Sequence, residues 1–370
     1  MNSIEKMLEQ LCSCGVPYVK LQDCCFLEKG NTPIQKAIPG EYPLVVTTAE
    51  RKSANVYQFS EPTVCVPLVS SRGHGVASLN QIYYQEGKFA LGNILCGVTP
   101  KDRKVLSAKY LYYYLNLKKD SLIVPLMKGG ANVSLTVNSL KTVKVALPPF
   151  QVQQEIILRL QKFEELLEAL DEQQVLRNRQ YDYYSDFVFS NLSGVDMVAL
   201  SDLVQIRTGK LDANARTEDG EYPFFTCDAK PYRINKYAFD TEAILVSGNG
   251  SQIGHVNYYK GKFNAYQRTY VFTDFNGVEA QYLLMYLKRY IRQYCKTNSK
   301  KGSVPYITLP MLQKFMVPVP QKSVQMNIVE KLRKFERLCS DEVEGLPAEI
   351  MIRKKQYDYF RDKLLTFKET

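Results

Sequence analysis

Apolar positions along this chain change period twice, in the same order each time. Between residues 15 and 150, short runs such as LVV (44–46) and TVCVPLV (63–69) alternate with Gly-bearing turns, the spacing of short strands. One stretch, 109–119, carries helical periodicity instead. Between 195 and 320 the alternation returns, with AILVS (243–247) and TYVFT (269–273) as strands and 279–294 as the helix. Each half therefore predicts a compact α/β domain.

A proline stop, LPPF (147–150) or VPVP (317–320), then opens a long amphipathic stretch in each half. In the first, Ile156, Leu160, Phe163, Leu167, Leu170, Gln174, Arg177, Tyr181 and Tyr184 recur in steps of four and three, a heptad seam. The predicted helix has about 38 residues and reaches nearly 60 Å, at about 1.5 Å per residue. The second seam runs through Ile328, Leu332, Phe335 and Cys339, then resumes through Leu346, Ile350, Tyr357, Phe360 and Leu364. Four extra residues interrupt it near Gly345-Leu346-Pro347, which predicts a kink or a short break. Helices this long exceed what one domain can cover, so their seams are expected to bury each other; packing of each on a separate partner protein is the alternative.

The period changes match because the sequence itself is duplicated. RNRQYDYYSD (177–186) returns as RKKQYDYFRD (353–362), and GEYP stands at 40–43 and 220–223. YYQEGKF (83–89) answers YYKGKF (258–263), and KFE occurs at 162–164 and 334–336. The two histidines fall in RGHG (72–75) and IGHV (253–256). Similarity is high in the helices and strands and low in the loops, where TTAERKSAN (47–55) faces TCDAKPYRIN (226–235). One scaffold with two loop chemistries predicts one kind of partner bound twice and two different ligands.

Charge narrows the ligand. Forty-eight Lys and Arg against 38 acids give a net charge of +10, which favours a polyanionic partner. No apolar run approaches the roughly 18 residues of a membrane span. The start, MNSIEKMLEQL, reads as an amphipathic helix without the apolar core of a signal peptide, so a cytoplasmic protein with nine reduced cysteines is expected. Cys12, Cys14, Cys24 and Cys25 lack zinc-type spacing, and the last two align with Leu203 and Val204, as core residues would.

Catalytic motifs fail on inspection. LPPF resembles the motif with which adenine methyltransferases hold their target base, but Leu147 cannot accept from an adenine amino group. GNGSQIG (248–254) fits neither a dinucleotide nor a Walker loop, though its backbone suits an anionic surface. No catalytic, cofactor or metal residue is assigned. Recognition is expected instead from the divergent loops: Arg51, Lys52, Arg72, His74 and Lys128 in the first copy. In the second copy the candidates are Lys230, Arg233, Ser251, His255, Gln267, Arg268, Lys300 and Lys301. Arg and Gln read guanine and adenine edges, while Lys mostly meets phosphate. For each of them a solvated surface or turn role is the alternative.

The duplicated order GVPYVKL to LEKGNTP, VALSDLVQIRTGK, GEYPFF, SGNGSQIGHV and the proline stops resembles the specificity subunits of type I restriction–modification systems. The resemblance implies two pseudo-symmetric α/β target recognition domains joined by two long helices that form an antiparallel coiled coil. It places the first domain at 1–150 with its N-terminal helix, the first spacer helix at 151–190, the second domain at 191–322 and the second spacer helix at 323–370. It further implies a non-catalytic subunit that reads a bipartite, asymmetric double-stranded DNA site. Such a subunit directs two methyltransferase (modification) subunits and, where one exists, an ATP-dependent nuclease subunit. A subunit of a type IIB-like complex, or a methyltransferase in its own right, is the alternative. Relatives often carry Glu-Gln early in each helix; here the pairs are Val152-Gln153 and Val324-Gln325, which puts a partner contact there in doubt.

Overall fold

The computed structural model describes residues 10, 13, 15–48, 50, 52–300 and 304–369. Nearly all of the expected N-terminal helix, with Cys12, Cys14, Arg51 and Lys301, lies outside the described residues. In chain order the first copy contains β1 (Tyr18–Lys20), α1 (Leu21–Cys24), β2 (Cys25–Lys29), β3 (Tyr42–Val45), β4 (Lys52–Ala54) and β5 (Thr63–Pro67). It continues through β6 (Tyr83–Gln85), β7 (Ala90–Leu91), β8 (Leu95–Pro100), α2 (Ala108–Leu122), α3 (Val137–Lys141), β9 (Lys144–Ala146) and the long helix α4 (Phe150–Ser190). The second copy begins β10 (Met197–Ala199), α5 (Leu200–Leu203), β11 (Gln205–Thr208), β12 (Tyr222–Phe225), β13 (Tyr232–Ile234) and β14 (Phe239–Ser247). Then come β15 (Val256–Ala265), β16 (Thr269–Thr273), α6 (Ala280–Asn298), α7 (Leu309–Gln313), β17 (Met316–Pro318), α8 (Lys322–Ser340) and α9 (Leu346–Leu364).

Contacts divide the chain into two compact units that cut across the four sequence segments. Unit 1 is residues 1–170 with 350–370, and unit 2 is residues 171–349. Unit 2 holds a six-stranded sheet in the order β11-β16-β14-β15-β12-β13, in which β12 runs parallel to the end of β15. In unit 1 the same strands form two sheets, β2-β8-β5-β6 and β4-β3-β7. The reason is local: YYQEGKF carries one residue more than YYKGKF, and the turn at Gly87 (φ 72°) splits one strand into β6 and β7. A helix covers one face of the six-stranded sheet and one face of β2-β8-β5-β6. Tyr110, Leu111 and Leu115 of α2 share a core with Val64, Val66 and Val98, as Tyr282, Leu283 and Leu287 of α6 do with Ile244, Val246 and Phe272. Both phenols are buried and satisfied, Tyr110 donating to the Ala146 carbonyl (3.0 Å) and Tyr282 to the Pro318 carbonyl (2.7 Å).

A buried glutamine fastens each long helix to its globular part. Gln153 accepts from the Ser107 amide (2.9 Å) at the start of α2 and donates to the carbonyls of Val105 and Pro148, both at 2.8 Å. Gln325 repeats this with the Glu279 amide (2.8 Å) and the carbonyls of Gly277 (3.1 Å) and Pro320 (2.8 Å). Neither is accessible, with relative exposures of 0% and 1%. These residues therefore hold the fold together and are not free to meet a partner.

The seams pair antiparallel inside each unit. In unit 1, Phe163 of α4 stacks with Phe360 (5.5 Å) and tilts against Tyr357 (6.3 Å), whose hydroxyl donates to Glu164 (2.8 Å). In unit 2, Phe335 of α8 meets Tyr181 (5.8 Å) and Tyr184 (6.2 Å), and Gln174 donates to the Cys339 carbonyl (2.6 Å). Seam residues Ile156, Leu160, Leu170, Ile328, Leu332, Ile350 and Leu364 are buried, and Leu167 is half-buried. The repeated decapeptide thus supplies the same two rings to the same phenylalanine of KFE twice. At their globular ends the seams join the domain cores: Ile156 and Leu160 pack with Leu364 and Leu365, and Ile328 and Leu332 pack with Phe189. The expected break falls at residues 341–345, where the Asp341 carboxylate accepts from the amides of Val343 (2.7 Å) and Glu344 (3.0 Å).

Gln325→Leu keeps the volume but strands one amide and two carbonyls, so it should cost about 3 kcal/mol or more. Urea unfolding followed by tyrosine fluorescence suits a chain with 26 Tyr and no Trp. A loss below about 1 kcal/mol, the net worth of a single ordinary hydrogen bond, would refute the fastening role.

A second expectation concerns acid. Arg289 of α6 donates two hydrogen bonds to Asp186 and one to Asp182 (3.1 Å), and Tyr290 donates to Asp186 (3.1 Å). The Arg289 guanidinium holds the Asp186 carboxyl below its ordinary range. A carboxyl lowered in the folded state contributes stability above its unfolded pKa of about 3.9, and that contribution is lost as pH falls through the folded value. Both side chains are partly exposed, so the effect is modest. Wild type should exceed Asp186→Asn in stability at neutral pH, with the gap closing below about pH 4. A gap that persists at pH 2 would remove Asp186 ionisation as its source.

Candidate nucleic-acid interface

In unit 2 the divergent loops meet at one end of the sheet. The stretch after β14 (248–255), the turn between β15 and β16 (266–268), and Lys300 with residues 304–306 are joined by backbone bonds, and the stretch after β12 (226–231) joins them through a side chain. Gly248 N–H donates to the Arg268 carbonyl (2.8 Å), Ile307 N–H to the Gly248 carbonyl (2.9 Å), and Gly250 N–H to the Pro305 carbonyl (3.1 Å). Lys300 and Tyr306 exchange backbone bonds, and the Cys227 thiol donates to the Arg268 carbonyl (3.5 Å). Burial pushes that thiol's pKa up, so it is a weak nucleophile.

Unit 1 builds the same joints bond for bond. Leu68 N–H donates to the Ile94 carbonyl (2.8 Å), Leu135 N–H to Leu68 (2.8 Å) and Ser70 N–H to Val133 (3.0 Å). Lys128 and Ser134 exchange backbone bonds as Lys300 and Tyr306 do. A shared glycine explains part of this likeness. A Cβ on Gly30 would lie 2.1 Å from the Gly92 carbonyl oxygen, and one on Gly209 would lie 1.7 Å from that of Ala265. The lysines Lys128 and Lys300 are therefore equivalent, exposed residues on equivalent joints.

The remaining candidates fall unevenly. Lys52 is exposed at the start of β4, and Arg72 and Lys230 are exposed on turns. Ser251, Gln267 and Arg268 are exposed within the unit 2 cluster. Gln267 is not free to swing, because its amide donates to Asp212 (2.6 Å). Arg233, exposed on β13, donates to the carbonyls of Gly220 (2.8 Å) and Glu221 (2.9 Å), so it also holds the turn before β12. The histidines are also not equivalent. His74 is exposed with a left-handed backbone (φ 59°), whereas His255 directly precedes β15, with Nε2 buried and unpartnered among the described residues. The loop holding His74 has 15 residues between β5 and β6, against eight between β14 and β15, so the motifs align but the turns do not.

Sequence reasoning missed several members of the cluster: Asp212, Asp228, which accepts from Tyr232 (2.9 Å), Arg216, stacked over Tyr232 (4.5 Å), and Gln252, which accepts from Arg292 (3.1 Å). These partners lie up to 55 positions apart, and no local pattern announces them. Among the described residues no group of three or more His, Cys, Asp or Glu could hold a metal ion. No helix among them is long and apolar enough to cross a membrane.

Two α/β modules on one framework, each with its own loop set and its own share of a helix pair, define a duplicated recognition protein. The chain belongs to the type I restriction modification DNA specificity domain family, whose pattern matches residues 15–177 and again 193–351. It is 39% identical over 170 residues to the type I restriction enzyme EcoDI specificity subunit of Escherichia coli, which covers 46% of this chain and 36% of that one. A type I restriction enzyme specificity subunit assigned in Haemophilus influenzae is 28% identical over 322 residues, covering 79% and 81%. The fold is shared with the S subunit of M. genitalium (TM-score 0.56, 18% identity, 95% and 96% covered). It is also shared with a chain from a study of the complex assembly of the type I R-M system (TM-score 0.61, 16% identity, 95% and 98% covered). Specificity subunits are the non-catalytic members of their systems, and this chain is of that class.

If the equivalent lysines meet phosphate, Lys128→Ala and Lys300→Ala should each weaken DNA binding equally on all sequences. Each should also flatten the plot of log affinity against log salt by about 0.9. Arg233→Ala should instead lower thermal stability and leave that slope unchanged. A changed sequence preference in either lysine variant would contradict a phosphate role.

Proposed function

We propose that the chain reads a bipartite, asymmetric double-stranded DNA site, one half-site per unit, and brings modification subunits to it. The supporting observation is the pair of loop clusters: the backbone joints are the same bond for bond, while most side chains on them differ. Kept lysines suit the phosphate backbone, which is alike in both half-sites, and replaced side chains suit bases, which are not.

The helix pair supports binding of two like partners. Exposed apolar residues recur at matched positions, Leu166, Met351, Ile352 and Tyr359 in unit 1 and Leu338, Val175, Leu176 and Tyr183 in unit 2. Tyr183 and Tyr359 are 73% and 63% exposed, although the decapeptide keeps both. In unit 2 a hollow of about 900 Å³ lined by Met326, Val329, Arg333 and Arg337 adjoins this surface. Exposed aromatics of this kind anchor protein interfaces. We assign these surfaces to two methyltransferase subunits, and a nuclease subunit, where one exists, joins through them.

Grafting the second copy's stretch 197–318 in place of 18–146 uses the matched ends β1/β9 and β10/β17. Complexes of the graft with its modification subunits should methylate sites in which both half-sites carry the second unit's sequence. An unchanged methylation map from a folded graft would refute one half-site per unit. Separately, Tyr359→Ala combined with Ile352→Ala should reduce the complex from two modification subunits to one by native mass spectrometry. Retention of two would remove this surface from docking.

A further inference from the structure

One turn in each unit is held identically and filled differently. In unit 2 it is Tyr266-Gln267-Arg268, between β15 and β16; in unit 1 it is Gly92-Asn93-Ile94, between β7 and β8. Three matched bonds fix it. Tyr266 N–H donates to Phe225 (2.9 Å) and Gly92 N–H to Val45 (3.0 Å). Gln267 N–H donates to Leu211 (2.9 Å) and Asn93 N–H to Thr32 (3.0 Å). The carbonyls of Arg268 and Ile94 accept from Gly248 and Leu68, both at 2.8 Å. The side chains then part company. Ile94 packs inward against the cluster of Phe59, Cys65, Phe89 and Leu95, whereas Arg268 is exposed and its guanidinium makes no hydrogen bond or ion pair among the described residues.

From this we infer that Arg268 reads a guanine in the half-site of unit 2, and that Gln267 reads a neighbouring adenine. The inference rests on the DNA-reading function proposed above and says which bases one turn selects. Phosphate contact is the competing role for an exposed arginine. It is disfavoured because the lysine that both units keep, Lys128 or Lys300, stands on equivalent joints and suits a contact common to both halves. A residue present in only one copy serves what differs between the halves, and the base sequence is what differs. The guanidinium fork matches guanine O6 and N7 with two hydrogen bonds. The backbone supporting it is rigid, since the Gly248 amide and the Cys227 thiol both bond to the Arg268 carbonyl. Beside it, Asp212 takes one amide hydrogen of Gln267 at 2.6 Å and fixes the amide plane. One N–H and the carbonyl oxygen of Gln267 remain, the pair that adenine N7 and N6 require. Unit 1 has Asn93, a shorter amide, and no arginine at this joint, so its half-site is read by other means.

The test is selection by the full chain from a randomised duplex library at one fixed salt concentration, with the bound DNA sequenced. Wild type should enrich a bipartite site with a guanine adjacent to an adenine in one half. Arg268→Ala should lose selection at that guanine alone, by about 10- to 100-fold, and Gln267→Ala should lose it at the adjacent base pair. Arg268→Lys keeps the charge but not the fork, so it should lose the guanine while leaving the salt dependence of binding unchanged. Full rescue by lysine, or a uniform loss on every sequence, would show a phosphate contact and overturn the inference while leaving the DNA-reading function intact. Enrichment of nothing by the wild type would overturn that function itself, and the inference with it.

Discussion

A phenylalanine gripped by two aromatic rings, once per unit, is the contact on which the rest of the molecule depends. Phe163 sits against Tyr357 and Phe360, and Phe335 sits against Tyr181 and Tyr184. Each such pair adds about 0.5–1.5 kcal/mol beyond the apolar area it buries. The rings fix register as well as energy. A slip of one residue would carry each ring about 100° around its helix and out of the seam. The glutamines at the other end of the same helices, Gln153 and Gln325, pass that register on to α2 and α6. The loop clusters are then placed by strands that pack beneath those helices. A long chain of packed parts thus connects the seam to the turns whose side chains differ between the units.

Duplication separates scaffold from chemistry without any other sequence for comparison. Bonds that recur in both units belong to the scaffold: the Gln latch, the tyrosine hydroxyl on the last strand, and the joints at Leu68 and Gly248. Side chains that differ over a recurring bond are free to vary without harm to folding, and specificity can be placed there. Ile94 and Arg268 show how far this freedom goes, since one is drawn into an apolar cluster and the other left in solvent on the same backbone. The joint tolerates both because its stability lies in main-chain bonds.

The parts of this organisation that were legible in the sequence are those set by local periodicity. The seam from Ile156 to Tyr184 and the break near Gly345 follow from steps of three and four, and the helix pair obeys them. Contacts between distant loops were not legible. Nothing near Gln267 announces Asp212, and Arg233 resembles any other loop arginine until its two carbonyl partners are seen. The histidines stand in unlike turns because a motif aligns letters, whereas the turn that carries it depends on loop length. Likewise, one extra residue in YYQEGKF is inconspicuous in the sequence yet divides a sheet in two.

The two copies also differ in how each unit is closed, and the difference is one of chain entropy. In unit 2, α4 runs directly through Phe189 of the core toward β10, so helix and domain are joined covalently. In unit 1 the same place is filled by residues 364–369. Leu364 and Leu365 enter the core, Val16 N–H donates to the Lys368 carbonyl (3.0 Å), and the Tyr18 hydroxyl donates to the Phe367 carbonyl (3.2 Å). These contacts close a loop containing all of unit 2, residues 171–349. For a flexible loop of that length the length-dependent closure cost is about 5 kcal/mol. Unit 2 folding first would shorten the effective loop and lower that cost. The α9 contacts that offset it are those the decapeptide provides, Tyr357 on Glu164 and Phe360 on Phe163. The second decapeptide therefore carries a load that the first does not. It holds residues 350–369 to the rest of unit 1, which they join by packing, hydrogen bonds and the Lys144–Glu369 ion pair (3.9 Å).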